Sequence, residues 1–100
     1  MRRPTPESAL KRAIKEFVGW NKGRLWSIVG SLGQEPGIAD LIGPYKGQAL
    51  AIEAKIWPNK QTKAQKKFQA EWERAGGIYI LAYGIEDVAR ILKIPMLGIV

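Results

Sequence analysis

The stretch Gly37–Gln65 reads G-I-A-D-L-I-G-P-Y-K-G-Q-A-L-A-I-E-A-K-I-W-P-N-K-Q-T-K-A-Q, and its pattern decides the fold of this chain. Two apolar runs, Ile38 to Gly43 and Gln48 to Trp57, flank the turn residues Pro44-Tyr45-Lys46-Gly47. That pattern predicts an antiparallel hairpin. Glu53 and Lys55 are separated by one residue and so share a face of their strand, while Ile52, Ala54 and Ile56 point the other way. A charge buried in an apolar strand costs several kcal/mol unless it is paired. A cross-strand salt bridge would account for the pair with no function at all.

The hairpin adds a third residue to that face. An even number of loop residues around Tyr45 and Lys46 sets Asp40 opposite Ala51 or Glu53, on the Glu53/Lys55 face in either register; an odd number breaks the alignment. Two carboxylates converging without an arginine repel each other, and a divalent cation relieves the repulsion. Ala54 can supply a backbone carbonyl, and water the remaining ligands, completing the oxygen set that Mg²⁺ takes. An ammonium such as Lys55 beside the metal can orient the attacking water and stabilise charge developing on a phosphate. These are the parts needed for metal-assisted phosphodiester hydrolysis.

Composition narrows the chemistry in the same direction. The chain has 100 residues, the size of one domain, so residues 1–100 are read as a single unit. It has no cysteine and no histidine, which excludes disulfides, thiolate zinc sites and imidazole acid–base chemistry. A metal site must then be built from oxygen, which suits Mg²⁺ or Mn²⁺. The net charge of +7 points to an anionic partner, nucleic acid before a membrane surface, although charge can also serve solubility alone. No apolar run approaches the ~20 residues of a membrane span, and no signal-peptide pattern is present. No membrane association is expected, and the expected compartment is the cytoplasm.

Outward from the hairpin, the N-terminal side opens with a basic lead over Met1–Pro6 that carries Arg2 and Arg3. A helix follows, with Thr5 as N-cap, Pro6 in the first position and an apolar stripe of Leu10, Ala13, Ile14, Phe17 and Val18. Asn21-Lys22-Gly23 stops it near Trp20. Arg24 to Gly30 is a strand candidate covered on both faces over part of its length, followed by loop material to Gly37. On the C-terminal side, Thr62 and Gln65 form a capping box for a helix whose apolar face carries Ala64, Phe68, Trp72 and Ala75, ended by Gly76-Gly77. Ile78 to Tyr83 reads as a buried strand, and strand–helix–strand over this length implies a right-handed parallel crossover. A short helix around Glu86 to Leu92 and an apolar tail at Ile94–Val100 complete the chain.

The lysines at 60, 63, 66 and 67 (Lys60, Lys63, Lys66, Lys67) follow the Glu53/Lys55 strand directly. They are candidates for phosphate contact that positions nucleic acid without reading bases. Trp57 lies on the Glu53/Lys55 face and is read as core, with base stacking as the alternative. Phe68 and Trp72 are read as core or dimer interface; Trp20 and Trp26 carry no functional signal.

G-I-A-D at Gly37–Asp40, E-A-K at Glu53–Lys55 and the glutamine at Gln65 together resemble the VRR-NUC branch of the PD-(D/E)XK nuclease superfamily. The resemblance spans roughly Glu7 to Leu92 and includes the element order. It implies an α/β fold with a mixed sheet: a restriction-endonuclease-like αβββαβ core followed by a C-terminal helix. It implies Asp40 and Glu53 as metal ligands, Lys55 as the catalytic lysine, and Gln65 joining them from the start of the flanking helix. Glu7 is a further candidate ligand from helix 1, although as a first-turn acid it also complements the helix dipole. The usual proline before the motif aspartate is Ala39 here. Small stand-alone members of the virus type resemble Holliday-junction resolvases and act as homodimers, so branched DNA and a homodimer are expected, in a bacterial or phage-infected cell.

The function expected from all of this is a Mg²⁺- or Mn²⁺-dependent DNA endonuclease, structure-selective for Holliday-junction or other branched DNA. A non-catalytic basic nucleic-acid-binding module on the same fold is the alternative. A subunit anchored to a membrane or protein assembly by the apolar tail ranks below both, because that tail is short and has no amphipathic period.

Overall fold

The computed structural model describes residues 5–29 and 35–96. The basic lead with Arg2 and Arg3, most of the Gly30–Gly37 loop, and the last residues of the apolar tail lie outside them. The elements in chain order are α1 (Pro6–Trp20), β1 (Trp26–Ser27), β2 (Leu41–Tyr45), β3 (Gln48–Ala54), α2 (Lys63–Arg74), β4 (Ile78–Ala82) and α3 (Ile85–Leu92). The strands form one sheet in the order β1-β2-β3-β4. β1–β2 and β2–β3 pair antiparallel, whereas β3–β4 pair parallel across α2. This α+β arrangement with a mixed sheet is the predicted order of elements.

Alternation along the strands explains why helices cover both faces. Leu50, Ile52 and Ala54 of β3, Leu41 and Tyr45 of β2, and Ile80 and Ala82 of β4 all join Ile14, Phe17 and Val18 of α1 and Val88 and Ala89 of α3 in the larger core. Ile94 and Met96 of the tail also pack on this core, without forming a strand. The residues between them in sequence point the other way. Ala51 and Tyr79 are buried with Ala39 on the α2 side, against Ile42, Phe68, Trp72 and Leu81. Each fully buried aliphatic side chain of the larger core contributes about 1.5–3 kcal/mol. The α2 side is thinner, and α2 itself has no fully buried residue. Glu53 faces this thinner side.

Helix termini follow the sequence signals. The Thr5 hydroxyl accepts from the Ser8 N–H at 3.1 Å at the start of α1. At α2 the Thr62 hydroxyl accepts from the Gln65 N–H at 3.1 Å, and the Gln65 side-chain oxygen accepts from the Thr62 N–H at 2.9 Å. Both halves of the predicted capping box are therefore made.

Three expectations need correction. The first strand is not the seven-residue run Arg24–Gly30 but the pair Trp26–Ser27, and both of its residues are exposed. Leu25 alone supplies the apolar anchor there. Pairing with β2 reaches back to Arg24, whose N–H donates to the Pro44 carbonyl at 3.1 Å, but Pro44 has no N–H to return the bond, so the ladder stops there. The hairpin turn is Lys46–Gly47, so Pro44 and Tyr45 belong to β2. The third strand ends at Ala54, short of the predicted Trp57.

Candidate active site

The two-residue turn fixes the register. Leu41 pairs with Ile52, so one step further along the hairpin Asp40 stands opposite Glu53. The even loop length that the sequence argument required is present. Asp40 lies just before β2 and is held in place twice. Its Oδ2 accepts from the Ala54 N–H at 3.0 Å, and its Oδ1 lies 3.4 Å from Lys11 Nζ. Gly37 sets the approach of this segment. It adopts a left-handed φ of +88° and lies so close to the Ala64 backbone at the start of α2 that a side chain would clash. The glycine of G-I-A-D is thus what lets the Asp40 segment and the α2 N-terminus meet.

Glu53 is almost wholly buried, with 4% relative exposure. Its Oε2 accepts from Gln65 Nε2 at 3.1 Å and lies 3.9 Å from Lys55 Nζ. Its Oε1 is buried and has no hydrogen-bond partner. A buried carboxylate oxygen left without a donor is costly. Burial first, and then the charge of Asp40, push the Glu53 carboxyl up from about 4.5 to about 8; the nearby Lys55 acts in the opposite sense. An oxygen-only pair with one orphaned buried oxygen, destabilised by mutual repulsion, fits a hard cation.

Gln65 serves the cap and the site at once. Its side-chain oxygen closes the capping box while its amide nitrogen donates to Glu53. The capping and functional readings of this residue are therefore compatible. Lys11 was missed. It falls off the apolar stripe of α1, yet it bridges Glu7 at 3.2 Å and Asp40 at 3.4 Å. The only trace of this in the sequence is its i,i+4 spacing from Glu7. Glu7 stands next to Asp40 across the Lys11 ammonium, which lies against both carboxylates. Among the described residues no group of three acidic side chains forms a ready metal cluster.

The lysine-rich segment after β3 is exposed at Lys60, Lys63, Lys66 and Lys67. The loop leading to it is tied to β4 by Tyr83 Oη donating to the Asn59 carbonyl at 2.7 Å and Gln61 Nε2 donating to Tyr79 Oη at 3.1 Å. Trp57 is not core: it is 73% exposed, with its ring edge-on to Tyr83 at 5.5 Å. The strand ends before it, so strand alternation no longer dictates where it points. Phe68 stacks on Trp72 with centroids 5.4 Å apart and packs on the α2-side core.

Against solved structures the whole arrangement has clear counterparts. One, titled "VRR_NUC domain", superposes with a TM-score of 0.76 over 91% of this chain and 98% of its own length, at 17% identity. A second, titled "VRR_NUC domain protein", gives 0.68 over 92% of this chain and 88% of its own, at 20% identity. This is the VRR-NUC fold. No family model and no curated protein matches the chain in sequence. The resemblance carried by G-I-A-D, E-A-K and Gln65 agrees with this fold. Among the described residues no helix is long and apolar enough to cross a membrane.

Proposed function

We propose that this chain is a divalent-metal-dependent endonuclease acting on DNA phosphodiester bonds. The observation that carries the reading is Glu53, buried opposite Asp40 with its Oε1 unpartnered. Binding nucleic acid would not need two carboxylates, which repel phosphate. Asp40, Glu53 and the Ala54 carbonyl are the groups that would hold Mg²⁺ or Mn²⁺. When bound, such an ion supplies Lewis acidity at the phosphate and lowers the pKa of water.

The chain's own residues do the remaining work. Gln65 fixes the Glu53 carboxylate by donating to Oε2, which leaves Oε1 directed away from that bond. The Ala54 N–H and Lys11 orient Asp40 from two sides. Lys55, close to Glu53, places a positive charge where the phosphate would develop negative charge, and it can hold the attacking water by hydrogen bonding. The exposed lysines at 60, 63, 66 and 67 fit contact with the DNA backbone on either side of the cut.

Branched DNA as substrate and a homodimer as the working form are the finer parts of the proposal. A symmetric pair of sites is what paired cuts across a junction require. The test is cleavage of a synthetic four-way junction beside a matched linear duplex, in Mg²⁺ and in Mn²⁺. Symmetric metal-dependent junction cuts are expected. Equal cutting of both substrates would remove the junction preference but keep the nuclease. No cutting in either metal, with tight salt-sensitive binding, would leave a non-catalytic nucleic-acid-binding module.

A further inference from the structure

Three non-glycine residues among those described have positive φ: Lys22 at 71°, Lys46 at 50° and Lys93 at 58°. All three are lysines. The left-handed region disfavours any residue with a Cβ, and glycine or asparagine is its usual occupant. The three come from separate parts of the sequence, yet they line one cavity of about 270 Å³. Lys22 follows the end of α1, Lys46 is in the β2–β3 turn, and Lys93 caps the end of α3. The other lining residues are Trp20, Asn21, Tyr45, Ile94 and Pro95, and none carries a negative charge.

Helix polarity accounts for part of this. Cations are favoured near helix C-termini, which suits Lys22 and Lys93. It does not explain Lys46, which is in a hairpin turn, nor why the left-handed positions themselves are lysine. A larger basic cavity lies along α1 and β1, but its cations are engaged. Arg12 pairs with Glu16 at 3.3 Å, Lys11 with Glu7 and Asp40, and Lys15 donates to Ser27 at 3.2 Å. Among the described residues none of Lys22, Lys46 and Lys93 forms a salt bridge within 4.0 Å. Trp20, 76% exposed, stands beside them.

We infer that the cavity framed by Lys22, Lys46 and Lys93 is a second nucleic-acid backbone site, remote from the carboxylates. It lies at the turn end of the hairpin, and Asp40 and Glu53 lie at the open end. Five ladder steps separate the two ends, which is about 17 Å at ~3.4 Å per residue. Tyr45 and Ile94 set the cavity on the α1/α3 side of the sheet, whereas Glu53 faces α2, so the occupant is a second arm and not a continuation of the duplex at the carboxylates. Exposed Trp20 offers a face to an unpaired base at the end of that arm. The partner is taken from the function proposed above, but binding without metal and cleavage with metal are read separately, so each can fail alone.

The test uses the full chain in EDTA and a labelled 30-base-pair duplex, with affinity followed from 50 to 300 mM salt. Lys22→Gly/Lys46→Gly/Lys93→Gly is compared with wild type and with the triple Lys→Arg variant. Glycine suits all three backbone positions, so the triple variant should fold, and its thermal midpoint is measured alongside. The expected result is a slope of log affinity against log salt shallower by about 2 to 3. Affinity should fall at least tenfold at 100 mM salt, and the arginine variant should retain binding. Should the glycine variant prove unstable, Lys→Asn at the same positions removes the charges on another residue that tolerates this conformation. An unchanged DNA slope in a folded variant would overturn the inference, including a case where only binding to anionic phospholipid vesicles is lost.

Discussion

The two ends of the β2–β3 hairpin treat charge in opposite ways. At the open end Asp40 and Glu53 gather negative charge and bury most of it, and the strain appears as a displaced pKa and an orphaned oxygen. At the turn end Lys22, Lys46 and Lys93 gather positive charge in solvent, and the strain appears in the backbone dihedrals. A buried charge is expensive in desolvation but is held in one place. An exposed lysine costs little to solvate and remains free to follow a polyanion. The first arrangement suits chemistry on one phosphate; the second suits holding many phosphates loosely.

The largest effect that would separate the two ends is on cleavage. Lys55→Ala should lower the single-turnover cutting rate in Mg²⁺ by about 10²–10³-fold, the usual cost of losing one transition-state donor. Its circular dichroism should be unchanged. The triple lysine-to-glycine variant should act on binding instead, raising the protein concentration needed for half-maximal cutting by about tenfold or more. Retained cutting in separate alanine variants of Asp40, Glu53 and Lys55 would remove the open end from the chemistry altogether.

Two glycines sharpen the comparison next. Gly37 and Gly47 both have positive φ, but only Gly37 also abuts backbone, that of Ala64. Gly37→Ala should therefore destabilise by about 3 kcal/mol, combining strain and overlap. Gly47→Ala should cost only about 1–2 kcal/mol from strain. Urea denaturation of the two variants measures the difference, and equal losses would mean that the Asp40 segment and α2 are not locked together.

Stability against pH distinguishes the ends in the absence of metal. The Glu53 carboxyl is raised in the folded state, so its protonated form is the favoured one. Its contribution is fully present below pH 4.5 and is lost as pH rises through about 8, levelling off above. The loss should be on the order of a few kcal/mol. Glu53→Gln should flatten that part of the profile, and the lysine-end variant should not. Denaturation at pH 5, 7 and 9 gives the answer.

Gln65 provides the smallest and most selective effect. Gln65→Ala should cost about 1 kcal/mol through the lost capping box. Gln65→Glu keeps the box but brings a third carboxylate against Glu53. Near-native stability with depressed cutting would show that the residue's two bonds serve two purposes. Equal cutting by Gln65→Glu and wild type would reduce it to a cap.

Much of this was legible in the sequence because the signals are local. Thr5-Pro6 and Thr62-to-Gln65 mark helix starts through bonds spanning a few residues, and those bonds are made as read. The Asp40–Glu53 juxtaposition followed from strand alternation and a short even turn, which are also local. The first strand failed for the opposite reason. Arg24 to Gly30 is apolar enough for a strand, but on its N-terminal side the ladder stops at Pro44 of the neighbouring strand, which has no N–H to return the Arg24 bond. Trp57 failed similarly, since extrapolating strand alternation past Ala54 assumed a ladder that had ended.

The sequence by itself determined the order of elements, the face shared by Glu53 and Lys55, and an oxygen-only site chemistry, because each depends on composition or on periodicities of a few residues. Tertiary structure decided that Lys11 bridges Glu7 and Asp40, that Gln65 reaches Glu53, that one oxygen of Glu53 is stranded, and that three distant lysines share one cavity. Those outcomes depend on how helices seat on a twisted sheet, and such packing brings together side chains whose separation along the chain carries no signal of their proximity.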